Sequence, residues 1–209
     1  MALTKHPALS ALALRTAEKH LSQSCAVMAR LVTVHGPCPL AAREFLPFQT
    51  LATSIISQQL SAKAADTIKR RVLETVPSFT PAGFLGASFD GLRNAGLSAA
   101  KARYIIELAH RVSDGRLNFD ALMLWADEDV ITALTEIPGI GRWTAEMFLI
   151  FGLRRPDVLA LGDAGLQRAV RLLYGEDVEL EGVGQAWRPY CSAASWYLWM
   201  HLDTVRKSP

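Results

Sequence analysis

The chain has 209 residues, half of them hydrophobic and a fifth charged, which is enough apolar material for one large domain or two small ones. A formal net charge of +2 excludes a broadly basic surface, so any patch suited to nucleic acid is local. Three scattered cysteines, Cys25, Cys38 and Cys191, with no CxxC and no His/Cys cluster, argue against a disulfide framework, a zinc site and a four-cysteine iron–sulfur cluster. No signal-peptide pattern is evident, and no apolar run reaches the ~18 residues of a membrane span. These features predict a soluble protein of a reducing intracellular compartment, the cytoplasm, with no membrane role.

From the N-terminus onward the apolar residues recur at helical spacing. Leu21, Cys25, Met28 and Val32 fall at i, i+4, i+7 and i+11. Leu51, Ile55 and Ile56 share a side before the polar SQQLS, and Ala65, Ile68, Val72 and Val76 continue after it. Further stripes follow at Ile105, Leu108, Ala109 and Val112, then at Val130, Ile131 and Leu134. Phe148, Leu149 and Leu153 form the next, and Leu166, Ala169, Val170 and Leu173 the last. No run alternates at period two, so the chain reads as all-α. Pro47, Pro77, Pro81, Gly96, Gly115, Pro138, Gly152 and Gly175 bracket short helices, and Ser61, Ser98 and Asp163 stand where N-caps belong.

The segment IPGIGRWTAEM, Ile137 to Met147, joins two of these helices. Gly139 and Gly141 carry no side chain and tolerate positive φ. The second helix therefore begins with backbone N–H groups near the surface, which favours an anion. Arg142 adds a cation and Thr144 a hydroxyl, so a phosphate would be held without any reading of base sequence. Alone, a GxG between helices is usually only a turn.

The longer run LTEIPGIGRWTAEMFLIFG resembles the helix–hairpin–helix of the HhH-GPD DNA glycosylase superfamily, with its pattern hPGhGxxTA. The resemblance implies that this hairpin grips DNA backbone near a damaged base. It also implies that the carbonyls of Thr135, Ile137 and Ile140 hold a monovalent cation, Na+ or K+, with no other cofactor required. The same superfamily places a catalytic aspartate in a Gly/Pro-rich loop after the hairpin. In RRPDVLALGDAGLQRAV that position is Asp163. Taken alone, an aspartate there is an ordinary helix N-cap. Asp157, after Pro156, is the nearest rival and suits a loop-capping role better.

Members that also cut the strand carry a lysine nucleophile after the position of Arg142, where this chain has Trp143, so the resemblance implies a monofunctional enzyme. Trp143 and the run WRPYCSAASWYLW are similar to the alkylation-repair branch, the 3-methyladenine DNA glycosylase II type. That branch implies a base pocket with Trp143, Trp196 and Met147, in which indole faces attract a positively charged alkylated purine. Trp187 and Trp199 are expected in the core. In SIISQQLSAKAADTIKRRV, the resemblance places Gln59, with Leu60 beside it, as the wedge that enters the duplex when the base leaves. Lys63, Lys101 and Arg103 are expected near phosphate. Ala164 and Gly165 stand where bulkier residues are frequent, which predicts a wider pocket, and the family's N-terminal β-rich domain is not recognisable in the sequence.

The expected architecture is two helical domains with a DNA cleft between them: residues 1–44 plus 156–209, carrying Asp163, and residues 45–155, ending in the hairpin. The expected activity is hydrolytic excision of alkylated purines, of the 3-methyladenine and 7-methylguanine type, from double-stranded DNA by a monomer acting on the chromosome. Two alternatives stand beside it: a glycosylase for another damaged base, and a non-catalytic helix–hairpin–helix module that only binds DNA.

Overall fold

The computed structural model describes residues 8–42 and 44–207. Their regular structure is helical throughout, and no strand occurs among the described residues. In chain order the helices are α1 (Ala11–Ser24), α2 (Ala26–His35), α3 (Pro47–Ser57), α4 (Ala62–Thr75), α5 (Pro81–Gly86), α6 (Phe89–Asn94) and α7 (Ala99–Ser113). They continue with α8 (Phe119–Leu122), α9 (Asp127–Thr135), α10 (Arg142–Phe151), α11 (Ala164–Tyr174), α12 (Leu180–Gly184) and α13 (Cys191–Lys207). None of them is long and apolar enough to cross a membrane.

Local chemistry sets most of the starts. Ser10, Ser61, Thr80, Ser88, Ser98, Asn118 and Asp163 each accept a hydrogen bond from the backbone N–H three residues on. Such caps contribute about 1 kcal/mol each. Pro47 and Pro81 occupy the first turns of α3 and α5, where a missing N–H costs nothing. The first stripe departs from its expected course. The chain breaks at Cys25, extended at φ −165° and ψ 162°, whose sulfur accepts from Met28 N–H at 3.5 Å to start α2. The break shifts the phase, so Leu31 rather than Val32 is buried.

The described residues divide into two compact units, residues 45–148, and residues 8–44 with 149–207. The expected second boundary lies after Arg155; in the structure the division falls inside α10, between Phe148 and Leu149. In the first unit, α3 packs on α4 and α7, and α5 on α7. Phe84 is met edge-on by Phe48 at 5.7 Å and Phe79 at 5.1 Å. In the second unit α13 runs against α1, α2 and α11, and buries Ala193, Ala194, Tyr197 and Leu198. Trp187, fully buried, belongs to this core as expected.

Candidate active site

In the second unit the loop between α10 and α11 is stitched to the start of α13 by one buried serine. Ser192 Oγ accepts from Val158 N–H at 3.1 Å, and Ser192 N–H donates to the Pro156 carbonyl at 3.1 Å. Asp157 completes the seam, with Arg188 Nη1 at 2.7 Å and Cys191 N–H at 3.3 Å. Asp157 is thus a capping and pairing residue. The loop closes with Asp163 N–H on the Ala160 carbonyl at 3.0 Å.

Asp163 follows, 7% exposed. Its Oδ1 accepts from Leu166 N–H at 2.7 Å and from the indole N–H of Trp199 at 3.1 Å. The side chain is therefore an N-cap, as its position predicts, but also the acceptor of a long-range bond that a cap does not need. A groove of about 430 Å³ runs past it, bordered by Asp163, Gly165, Arg168, Trp199, Leu202 and Arg206 among others. Two exposed arginines and the exposed Asp203 thus share a wall with the fixed carboxylate of Asp163.

Trp199 corrects the expected assignment. It is half-buried beside the aspartate, not in the core, and meets the Phe151 ring at 5.7 Å between centroids, tilted by 34°. Trp196, expected in the base pocket, does not border this groove and lies edge-on to Tyr197 at 4.9 Å. The two tryptophans stand three residues apart on α13, so they share a helical face, and only the packing of α13 on α11 decides which is level with Asp163. The same contact fills the space that Gly165 was expected to leave open. A Cβ at Gly165 would lie 3.0 Å from Asp163 Oδ1 and 3.4 Å from Trp199. We expect Trp199→Phe, which keeps an aromatic face but loses the N–H and the five-membered ring, to slow any reaction that uses Asp163 by about tenfold and to lower the melting temperature modestly. Single-turnover kinetics beside a thermal melt would check this.

The first unit carries the glycine turn. Ile137 and Ile140 are buried and anchor it, with Ile140 N–H on the Ile137 carbonyl at 3.0 Å. Only Gly139 takes positive φ, at +86°; Gly141 does not, and no atom lies within 4 Å of where its Cβ would stand. The head of α10 is exposed from Gly141 to Trp143, with Trp143 at 47%. Arg142 is already engaged: it forks onto Glu128 through Nη1 at 3.0 Å and Nη2 at 2.5 Å, and Nε reaches Glu146 at 3.2 Å. The Arg142 hydrogen bond holds the Glu128 carboxyl below its usual range, and the pair raises Arg142 in turn. Both partners are exposed, so the bridge adds little stability and is open to exchange with another anion.

Two expected site residues lie below the surface. Thr144 is only 4% exposed, so its hydroxyl is not offered to a surface ligand, and Met147 is buried. Both are buried because α10 is enclosed on every side from Thr144 to Ile150, not along a single stripe.

The QQ turn divides its two glutamines. Gln58 donates through Nε2 to the Gly139 carbonyl at 2.8 Å, whereas Gln59 is exposed at φ +58°, a conformation that costs an L-residue about 1–2 kcal/mol. Leu60 beside it is partly exposed. Lys101, expected near phosphate, instead donates to the carbonyls of Ile56 at 2.8 Å and Gln58 at 2.6 Å. Burial lowers its pKa from the ordinary lysine value. Gln58 carries no signal in the sequence, and Lys101 none for this role, since nothing local marks a bond across 81 or 43 residues.

Residues 52–181 match the model of the HhH-GPD superfamily base excision DNA repair protein. A crystal structure of a DNA-3-methyladenine glycosidase from Bacillus halodurans superposes with a TM-score of 0.78 at 38% identity, covering 92% of this chain and 91% of that one. The Schizosaccharomyces pombe 3-methyladenine DNA glycosylase Mag1, solved in complex with abasic DNA, superposes at 0.76 with 28% identity over 93% of this chain and all of its own. The Bacillus subtilis (strain 168) protein YfjP is 31% identical over 81% of this chain, which spans 63% of that protein's length.

Proposed function

Because this chain belongs to the HhH-GPD superfamily of base excision DNA repair proteins, we propose that it is a monofunctional DNA glycosylase that hydrolyses the N-glycosidic bond of alkylated purines in double-stranded DNA. The observation that supports this most is Asp163: a nearly buried carboxylate, fixed by two N–H donors, on the wall of a groove. The relatives named for 3-methyladenine excision, one of them bound to abasic DNA, support the substrate class.

Cleavage moves the bonding pair of the N-glycosidic bond onto the departing base. A cationic N-alkylated purine leaves as a neutral molecule, so no proton need be supplied to it. Positive charge collects on C1′ and the ring oxygen, and a preorganised carboxylate stabilises that charge in a dry site more than water would. Water then adds at C1′, and Asp163 accepts its proton before passing it to solvent. The product is an abasic site. No lysine occurs in α10, so a Schiff-base route from that helix is closed. In the first unit, the indole of Trp143 is 47% exposed at the head of α10 and has the chemistry to attract a cationic ring.

On this reading the exposed head of α10 and Gly141 meet phosphate, and Gln59 and Leu60 fill the vacated place in the stack. The carbonyls of Thr135, Ile137 and Ile140 suit a monovalent cation by chemistry, and the Ile137 oxygen keeps one lone pair after accepting Ile140 N–H. The test is base release from methylated duplex DNA. Release of free 3-methyladenine or 7-methylguanine with an unbroken abasic strand is the expected result. Binding without release would favour the non-catalytic module.

A further inference from the structure

Helix α7 presents two residues, Lys101 and Tyr104, three apart and so on one face. Each engages a different exposed turn. Lys101 binds the carbonyls of Ile56 and Gln58 at the end of α3, where the helix dipole favours a cation. Tyr104 lies against Gly139 so closely that a Cβ there would fall inside the ring's contact distance. Gln58 then closes the ring of contacts, since its side chain reaches the Gly139 carbonyl while its own carbonyl receives Lys101. The next residue, Gln59, is the one held at positive φ.

These bonds fix the mutual geometry of two turns at the surface. Resting on the glycosylase reading, we propose that Lys101 and Gln58 are positioning residues. They lock the Gln59–Leu60 turn to the glycine turn, so that gripping the backbone and displacing the target base occur as one event. Without the lock Gln59 is free to relax to negative φ, and the inserting side chains lose their fixed distance from the glycine turn. The residues themselves touch neither the sugar nor the base.

The inference separates from a general structural role because it concerns base displacement and not bond cleavage. Lys101→Met, Gln58→Met and Lys101→Arg are compared with the unaltered protein on two duplexes. One carries a single 7-methylguanine paired with cytosine; the other carries it opposite an abasic-site analogue, where no pair must be broken. A 2-aminopurine next to the lesion reports unstacking, and thermal melts report folding. We expect the two methionine variants to release base from the paired duplex about tenfold or more slowly, with the 2-aminopurine signal reduced. On the unpaired lesion their loss should stay within about threefold. Lys101→Arg, which keeps donors for both carbonyls, should restore release. If Lys101→Met melts early, Gln58→Met carries the comparison alone. Equal losses on both duplexes, or no loss on the paired one, overturn the inference while the glycosylase reading stands. No release by the unaltered protein from either duplex overturns both.

Discussion

Asp163→Asn should lose base release by a factor on the order of a hundred to a thousand, with melting temperature and duplex binding retained. The substitution removes the charge and keeps the side chain's size and an acceptor oxygen. Asparagine is as good an N-cap as aspartate, and its amide oxygen can still accept from Leu166 N–H and from the Trp199 indole. What is gone is the negative potential opposite the developing positive charge and the acceptor for the proton of water. Single-turnover assays at saturating enzyme would remove any difference in affinity. Release by the asparagine variant at the rate of the unaltered protein would remove Asp163 from the mechanism and leave it only its capping role.

Gly139→Ala should destabilise the first unit by about 2–5 kcal/mol, the sum of a left-handed backbone penalty and an overpacked contact. The backbone there stands at φ +86°, and the added methyl would have to displace the Tyr104 ring. Because the Gly139 carbonyl is also the acceptor for Gln58, the QQ turn should move with it. Gly141→Ala is the contrasting case. Its φ is ordinary and its surroundings are open, so the fold should lose less than about 1 kcal/mol, most of it from a poorer cap. Any weakening of duplex binding by Gly141→Ala then reports steric exclusion of the DNA backbone. Calorimetry and fluorescence anisotropy on both variants would check the pair; equal melting temperatures would refute the assignment of strain to Gly139.

The sequence was most informative where the cause is local. Ser61, Ser98 and Asp163 are caps because a side-chain oxygen three residues before an amide can reach it, and all three hold that bond in the structure. The helical class followed from apolar spacing alone. Breaks and registers were less legible. The apolar rhythm runs on past Cys25, so nothing in it announced the end of α1. Trp196 and Trp199 are equivalent to any periodic reading, and the choice between them is made by packing against α11. Likewise the composition of PGIG offers two glycines for one positive φ, and the Tyr104 ring that settles which one needs it lies 35 residues earlier in the chain. Lys101 was misjudged for a related reason: a lysine on an amphipathic helix usually points at solvent, and the carbonyls that capture this one come from a turn 43 residues away.

The double engagement of Asp163 has a consequence for how variants of this protein would be scored in bulk. An abundance screen, which counts folded molecules in cells, would pass asparagine at this position and penalise leucine, since only leucine frays the start of α11. A survival screen under alkylating stress would reject both alike. The gap between the two scores at this one codon would isolate the helix-starting share of the residue from its chemical share, with no purified protein needed.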